Sequence, residues 1–270
     1  MKKYDIAIGV NADRELKCAG ISNMESVKQI KKAGFKKVFI TWMYNSWGET
    51  QEKIIAEVKR NKLEIVFAHV AYFGEYKLNT IWEDGKHGDK IADMLINDLK
   101  KLKNHGIKIA VVHPCERMKP DFTQIALNRW QKIVKSAEEI GITIAIENLR
   151  YLDVIDYLFD NIESDNLKIC YDAGHNHCNS NDAFDFEKYN NKIVATHIHD
   201  NDGEKDLHLI PFHGNIDWNV VLNNLKKHNK NLTLSSEIYY RLGYKICSSK
   251  KFYKQTYKAM KKLYKNYENF

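Results

Sequence analysis

Short apolar runs alternate along this chain with longer stretches whose apolar residues recur at helical spacing. The short runs cover residues 6–10, 37–41, 65–71, 107–113, 142–147, 167–171, 193–198 and 232–238. They are rich in Ile and Val, as buried parallel strands should be. The helical stretches include residues 24–33, 50–61, 88–104, 123–140, 217–228 and 250–264. Gly34, Gly106 and Gly141 each stand just before a strand, where a helix C-cap would fall. Ser22 or Asn23 can cap the first helix, with Glu25 in its first turn. The three prolines, Pro114, Pro120 and Pro211, fall in expected loops. Eight strands alternating with helices predict an α/β fold, a single (β/α)8 TIM barrel spanning residues 1–270 as one domain. The dinucleotide fingerprint G-x-G-x-x-G is absent, which weighs against an open nucleotide-binding sheet.

The strand ends carry the chemistry. Successive runs close on His69, His113, Glu147, Asp172, His197 and Glu237. In a barrel those ends meet at one mouth, where active sites are built. Carboxylates and imidazoles gathered there need compensation, and a divalent metal supplies it. Mixed His and carboxylate donors suit Mn, Zn, Co or Fe, with Mg admissible if carboxylates dominate. His197 and His199 are two apart on one strand, so periodicity leaves either free to face inward. A long loop follows with Asp200, Asp202, Asp206, His208 and His213. Its Asp206-Leu207-His208 segment can bring two more ligands over the mouth. Trp42, Tyr44, Trp47, Tyr72 and Phe73 are candidates to line a sugar-binding face.

Composition narrows the partners. Apolar residues make up 44% of the 270 and charged residues 29%, a soluble balance. No leader or membrane span is legible. Five cysteines, an odd number without a C-x-x-C pair, suggest a reduced, cytoplasmic protein. The net charge of +7 raises a nucleic-acid partner, but only six of 42 basic residues are Arg. Most Lys sit on predicted helices, as at Lys226-Lys227 and Lys261-Lys262, so a solvated outer face is the favoured reading. A small carbohydrate-like substrate is preferred over nucleic acid, and homo-oligomerisation is left open.

At Ile146-Glu147-Asn148, Tyr171-Asp172-Ala173-Gly174-His175, His197-Ile198-His199-Asp200-Asn201, Gly214-Asn215-Ile216-Asp217-Trp218 and Ser236-Glu237 the sequence resembles the xylose isomerase-like TIM barrel superfamily. That superfamily includes sugar isomerases and epimerases, and endonuclease IV. The resemblance implies one metal on Glu147, Asp172, His197 and Glu237. His197 is preferred over His199 because the family pattern places an Asp three residues after its metal His. The resemblance also implies a sugar, polyol or sugar-acid substrate, with a metal-stabilised enediolate and Glu147 and Glu237 as proton carriers. His175 matches a family His that meets substrate or a second metal. The similarity to endonuclease IV implies nine ligands for three zinc ions: the core four together with His69, His113, His175, Asp206 and His208. Tyr72 matches a DNA-contacting residue there. Two departures stand out. Leu149-Arg150-Tyr151 replaces the small, glycine-bearing run of the endonuclease, and Gly203 stands where ketose 3-epimerases carry Arg. A non-catalytic sugar-binding barrel is the third reading.

Overall fold

Every predicted strand is present in the computed structural model, which describes residues 4–10, 21–42, 50–70, 77–229, 231–240 and 248–270. The strands are β1 (Ile6–Val10), β2 (Lys37–Trp42), β3 (Glu64–Val70), β4 (Ile109–Val112), β5 (Thr143–Glu147), β6 (Leu167–Asp172), β7 (Ile193–His197) and β8 (Leu234–Ser236). The helices are α1 (Asn23–Ala33), α2 (Gln51–Arg60), α3 (Lys86–Asn104), α4 (Gln124–Ile140), α5 (Leu152–Asn161), α6 (Ala173–Ser180), α7 (Trp218–His228) and α8 (Ser249–Asn269). All pairings between strands are parallel, in the order β7-β6-β5-β4-β3-β2-β1-β8. A parallel bridge between Ile198 and Ser236 joins the two ends and closes the barrel. Among the described residues, no helix is long and apolar enough to cross a membrane.

Two strands fall short of their apolar runs by more than one residue. β4 stops before His113-Pro114, since Pro114 has no N–H to offer a ladder. β8 starts after Thr233, whose carbonyl accepts from the Thr196 hydroxyl at 3.1 Å and whose own hydroxyl donates to Asp5 at 2.6 Å. Capping follows the sequence closely. Ser22, rather than Asn23, caps α1, its hydroxyl accepting from the Glu25 N–H at 3.1 Å. Gly34 and Gly141 close α1 and α4 at φ of 117° and 72°, conformations that cost an L side chain energy.

Side-chain alternation builds the site. Phe39, Phe67, Val111, Ala145, Cys170 and Ala195 point into the barrel and fill it. Two residues farther along their strands, on the same face, come His69, His113, Glu147, Asp172 and His197. Phe39 and Phe67 stack at 4.7 Å, and the His197 ring rests over them at 5.1 and 5.6 Å. This aromatic pair is the floor of the mouth. The other strand faces pack outward against the helices in a separate, larger core containing Trp82, Trp130, Tyr253 and Tyr267.

Candidate metal centre at the barrel mouth

Glu147 ends β5 fully buried and meets four histidines. Its Oε1 lies 3.1 Å from His197 Nδ1 and 3.2 Å from His175 Nδ1. Its Oε2 lies 3.2 Å from His113 Nε2 and 3.4 Å from His69 Nε2, with no well-aligned hydrogen bond. His69 and His113 approach each other at 3.0 Å. Glu237 stands on the far side: its Oε1 is 3.4 Å from His69 Nδ1, and its Oε2 is 3.3 Å from His197 Nδ1. The His69 ring therefore lies between the two glutamates, one nitrogen toward each.

Asp172 has two duties. It ends β6 and caps α6, where its Oδ1 accepts from the His175 N–H at 2.7 Å. Its Oδ2 is 3.7 Å from His197 Nδ1, toward the glutamates. Asn148, the residue after Glu147, holds Asp172 by its backbone: the amide oxygen accepts from Asp172 N–H at 2.7 Å, and the amide nitrogen donates to Asp172 O at 2.9 Å.

A second cluster lies beside this one. His208 Nε2 is 3.1 Å from Asp206, His175 Nε2 is 3.5 Å from Asp206, and His199 Nε2 is 3.1 Å from Asp172 and 3.7 Å from Asp206. His199 stacks on His208 at 3.9 Å, and His208 stacks on Tyr239 at 4.0 Å. Gly174 makes room for this: a Cβ there would sit 1.8 Å from the His199 ring.

Donor atoms within 4.8 Å of one another fall into sets that suit a divalent ion. One is Glu147, Asp172, His197 and Glu237; another is His69, His113 and Glu147; a third is His175, His199, Asp206 and His208. Several carboxylates and imidazoles buried together, one carboxylate oxygen without a proper donor, are chemistry that a cation would complete.

The charges polarise one another. Burial raises the Glu147 pKa, but His197 and His113 outweigh it and hold the carboxyl well below its ordinary value. Glu237 is lowered too, with burial again opposed, chiefly by His197 and His69. Burial disfavours charge on His175, but Asp172, Asp206 and Glu147 carry its pKa well above 6.5. His69 goes the other way, because burial outweighs its two glutamates.

All nine residues expected at the mouth come together there, His197 facing the carboxylates and His199 the neighbouring cluster. His199 is the member that sequence reasoning left unassigned; its two-residue spacing from His197 was the available signal. Tyr239, two residues past Glu237, was not anticipated. Asp200 does not reach the clusters. It accepts from the N–H groups of Asn201, Phe212 and Ile216 and from the Trp218 indole, at 2.8–3.2 Å, and so ties down the loop bearing Asp206 and His208. Asp202 caps an exposed turn, accepting from Glu204 and Lys205 N–H. His213 is exposed. Trp42 is a correction: it is one residue out of phase with inward-facing Phe39 and Thr41, and it packs in the outer core near the His105 ring at 6.0 Å. Tyr44, Trp47, Tyr72 and Phe73 lie outside the described residues.

Residues 27–263 match the family described as xylose isomerase-like TIM barrel. The chain belongs to that family. It is 37% identical over 134 residues to an uncharacterised protein of Methanocaldococcus jannaschii, MJ1614, covering 45% of this chain and 51% of that protein. It is 25% identical over 178 residues to a probable endonuclease 4 of Mesoplasma florum, covering 59% of this chain and 56% of that protein. The matches thus span about a third to just over half the length of these curated relatives. Similar solved structures include a D-tagatose 3-epimerase-like protein (TM-score 0.72, 20% identity, 98% of this chain and 97% of that one). An L-ribulose 3-epimerase is also similar (TM-score 0.74, 13% identity, 98% and 95%). At these identities the structural likeness speaks for the fold.

Proposed function

We propose that this family member is a metal-dependent isomerase or epimerase of a sugar, polyol or sugar acid, with residues 1–270 acting as one catalytic unit. The observation that carries the reading is the placing of Glu147 and Glu237. They come from strands separated by two others, meet opposite nitrogens of the His69 ring, and converge on His197 Nδ1. A divalent ion on Glu147, Asp172, His197 and Glu237, of which Mn, Zn, Co and Mg are the candidates, would supply a Lewis acid that polarises a substrate carbonyl. The protein's own groups do the rest. In the metal-free protein both glutamates are held ionised by their histidines, the form that accepts a proton, and a bound cation would keep them so. One takes the proton from the carbon beside the carbonyl, and the other returns it. The buried histidines orient both carboxylates, and the aromatic floor keeps water from below.

The test is solvent deuterium incorporation beside the carbonyl, for a panel of ketoses, aldoses and sugar acids, with each metal in turn. Glu147→Gln and Glu237→Gln should each slow it by about 10²–10⁴-fold. No incorporation with any substrate and metal would sink the reading.

One observation favours a second reading, a metal-dependent phosphodiesterase acting on abasic DNA. Among the described residues the donor atoms form five overlapping sets rather than one, and three of them share Glu147. Clustered ions suit hydrolysis at phosphorus. Three ions per chain, with nicking of abasic duplex DNA abolished by Glu147→Gln, would replace the isomerase reading. A failure to nick with any of the metals would remove this one.

A further inference from the structure

A cavity of about 540 Å³ opens beside His113 at the mouth. Its wall comes from the loops after β4 and β5 and the end of α6, and includes Glu116, Arg117, Leu149, Arg150 and Asn179. This is a small-molecule volume. His113 connects it to the metal centre through Glu147 and His69.

Arginine is scarce in this chain, with six residues in 270. Arg60 and Arg129 are paired with Glu57 and Asp89, and Arg14 and Arg241 lie outside the described residues. The other two, Arg117 and Arg150, both line this cavity. Both are exposed, and neither has an ion pair among the described residues. Two guanidinium groups in one concave wall match an oxyanion by paired N–H donors.

The wall also carries acceptors. Glu116 Oε1 is buried without a hydrogen-bond partner. An orphaned carboxylate oxygen repels an anion next to it and suits a hydroxyl donor. Asn179 adds an amide. The two loops are held in place: Tyr151 donates to the Arg117 carbonyl at 3.3 Å, Asn79 accepts from the Glu116 N–H at 2.6 Å and donates to the Met118 carbonyl at 3.0 Å, and Ser180 donates to the Leu149 carbonyl at 3.4 Å. The cavity is therefore largely set before a ligand arrives.

We propose that this cavity is the subsite for the charged end of an anionic, polyhydroxylated substrate. Arg117 and Arg150 hold a phosphate monoester or a carboxylate, Glu116 and Asn179 take hydroxyls, and the reacting carbons extend past His113 to the glutamates. This substrate class rests on the isomerase reading.

The experiment uses the metal-loaded full chain and titration calorimetry with fructose, fructose 6-phosphate, glucuronate and inorganic phosphate. Fructose 6-phosphate or glucuronate should bind at least tenfold more tightly than fructose, and which one does so names the oxyanion. The R117Q/R150Q variant should lose that preference at unchanged metal content, and its affinity for inorganic phosphate should fall. Equal affinities for charged and neutral sugars in the native protein would overturn the proposal. So would a preference that survives in R117Q/R150Q, because the metals would then be holding the anion. If no sugar binds, inorganic phosphate decides: equal binding by native protein and variant also overturns it. Deuterium incorporation is scored separately. Charge-selective binding without incorporation keeps the subsite and removes the isomerase; incorporation without charge selectivity does the reverse.

Discussion

Glu147 divides its two oxygens between different neighbours, Oε1 toward His175 and His197 and Oε2 toward His69 and His113. Asp172 is shared in the same way, serving His197, His199 and the first turn of α6. The two clusters are thus joined by single side chains rather than by loops. His199 makes the join testable, because it orients Asp172 from the neighbouring cluster. His199→Ala should weaken metal binding by about 10–100-fold, the usual effect of losing a group that orients a ligand. A chelator competition assay measures it, and unchanged affinity would leave His199 a packing residue. At this scale much was legible in advance, because a His or carboxylate closing an apolar run is visible in one sequence. The stacking of His199 on His208 and Tyr239 beneath them were not, and periodicity left the inward turn of His197 open where the family pattern chose it. They depend on strand-end twist and on a loop returning from elsewhere in the chain.

The strands and helices followed from periodicity because each of them buries one consistent face. The shortfalls have local causes. Pro114 ends β4 early, and α6 has eight residues with little apolar surface, held by the Asp172 cap. Asp200 illustrates what composition conceals: in sequence it resembles the other loop acids, yet its four donors make it the fastening of the loop over residues 201–217. Asp200→Ala strands those donors, at a cost of roughly 1–3 kcal/mol for a buried unsatisfied group. The variant should be cut faster by protease within the loop and should lose metal from the Asp206–His208 cluster before the inner one. Phe39 answers for the floor. Gly9 leaves it space, since a Cβ there would meet the ring at 2.7 Å. Phe39→Ala should destabilise the barrel by about 3–5 kcal/mol, read from denaturant unfolding. A much smaller loss would mean that the interior collapses to fill the gap.

For the molecule as a whole, the mouth ties stability to pH and, on the proposed reading, to a metal as well. Burial opposes charge on His197 and His208, yet both are raised above 6.5. Asp206 and Glu237 act on His208. For His197 the field comes from Glu237 and Glu147, since burial pushes the neighbouring Cys170 thiol up to about 12 and leaves it neutral. With His175 these residues bind protons more tightly folded than unfolded. Their contribution is complete below 6.5 and is lost as pH rises through the raised values. The lowered carboxyls Glu147 and Glu237 contribute above 4.5 and fail as pH falls through their lowered values. His69, lowered, opposes the other histidines below 6.5. The metal-free protein should therefore melt at progressively lower temperature as pH rises above 6.5. The metal-loaded protein should not, because bound ions need neutral histidines. Calorimetry in buffers of different ionisation enthalpy should detect protons released on metal uptake near neutrality. The stacked Phe39 and Phe67 separate this mouth from a cavity of about 410 Å³ at the other end of the barrel, lined by Lys37, Lys108 and Ser235. Among the described residues that floor closes the lower end, so on the isomerase reading reactants and solvent protons would pass by way of the mouth. With one glutamate lifting a hydrogen and the other returning a different one, the product would carry a hydrogen from solvent, and the proton left on the first glutamate would have to escape by the mouth before the next turnover.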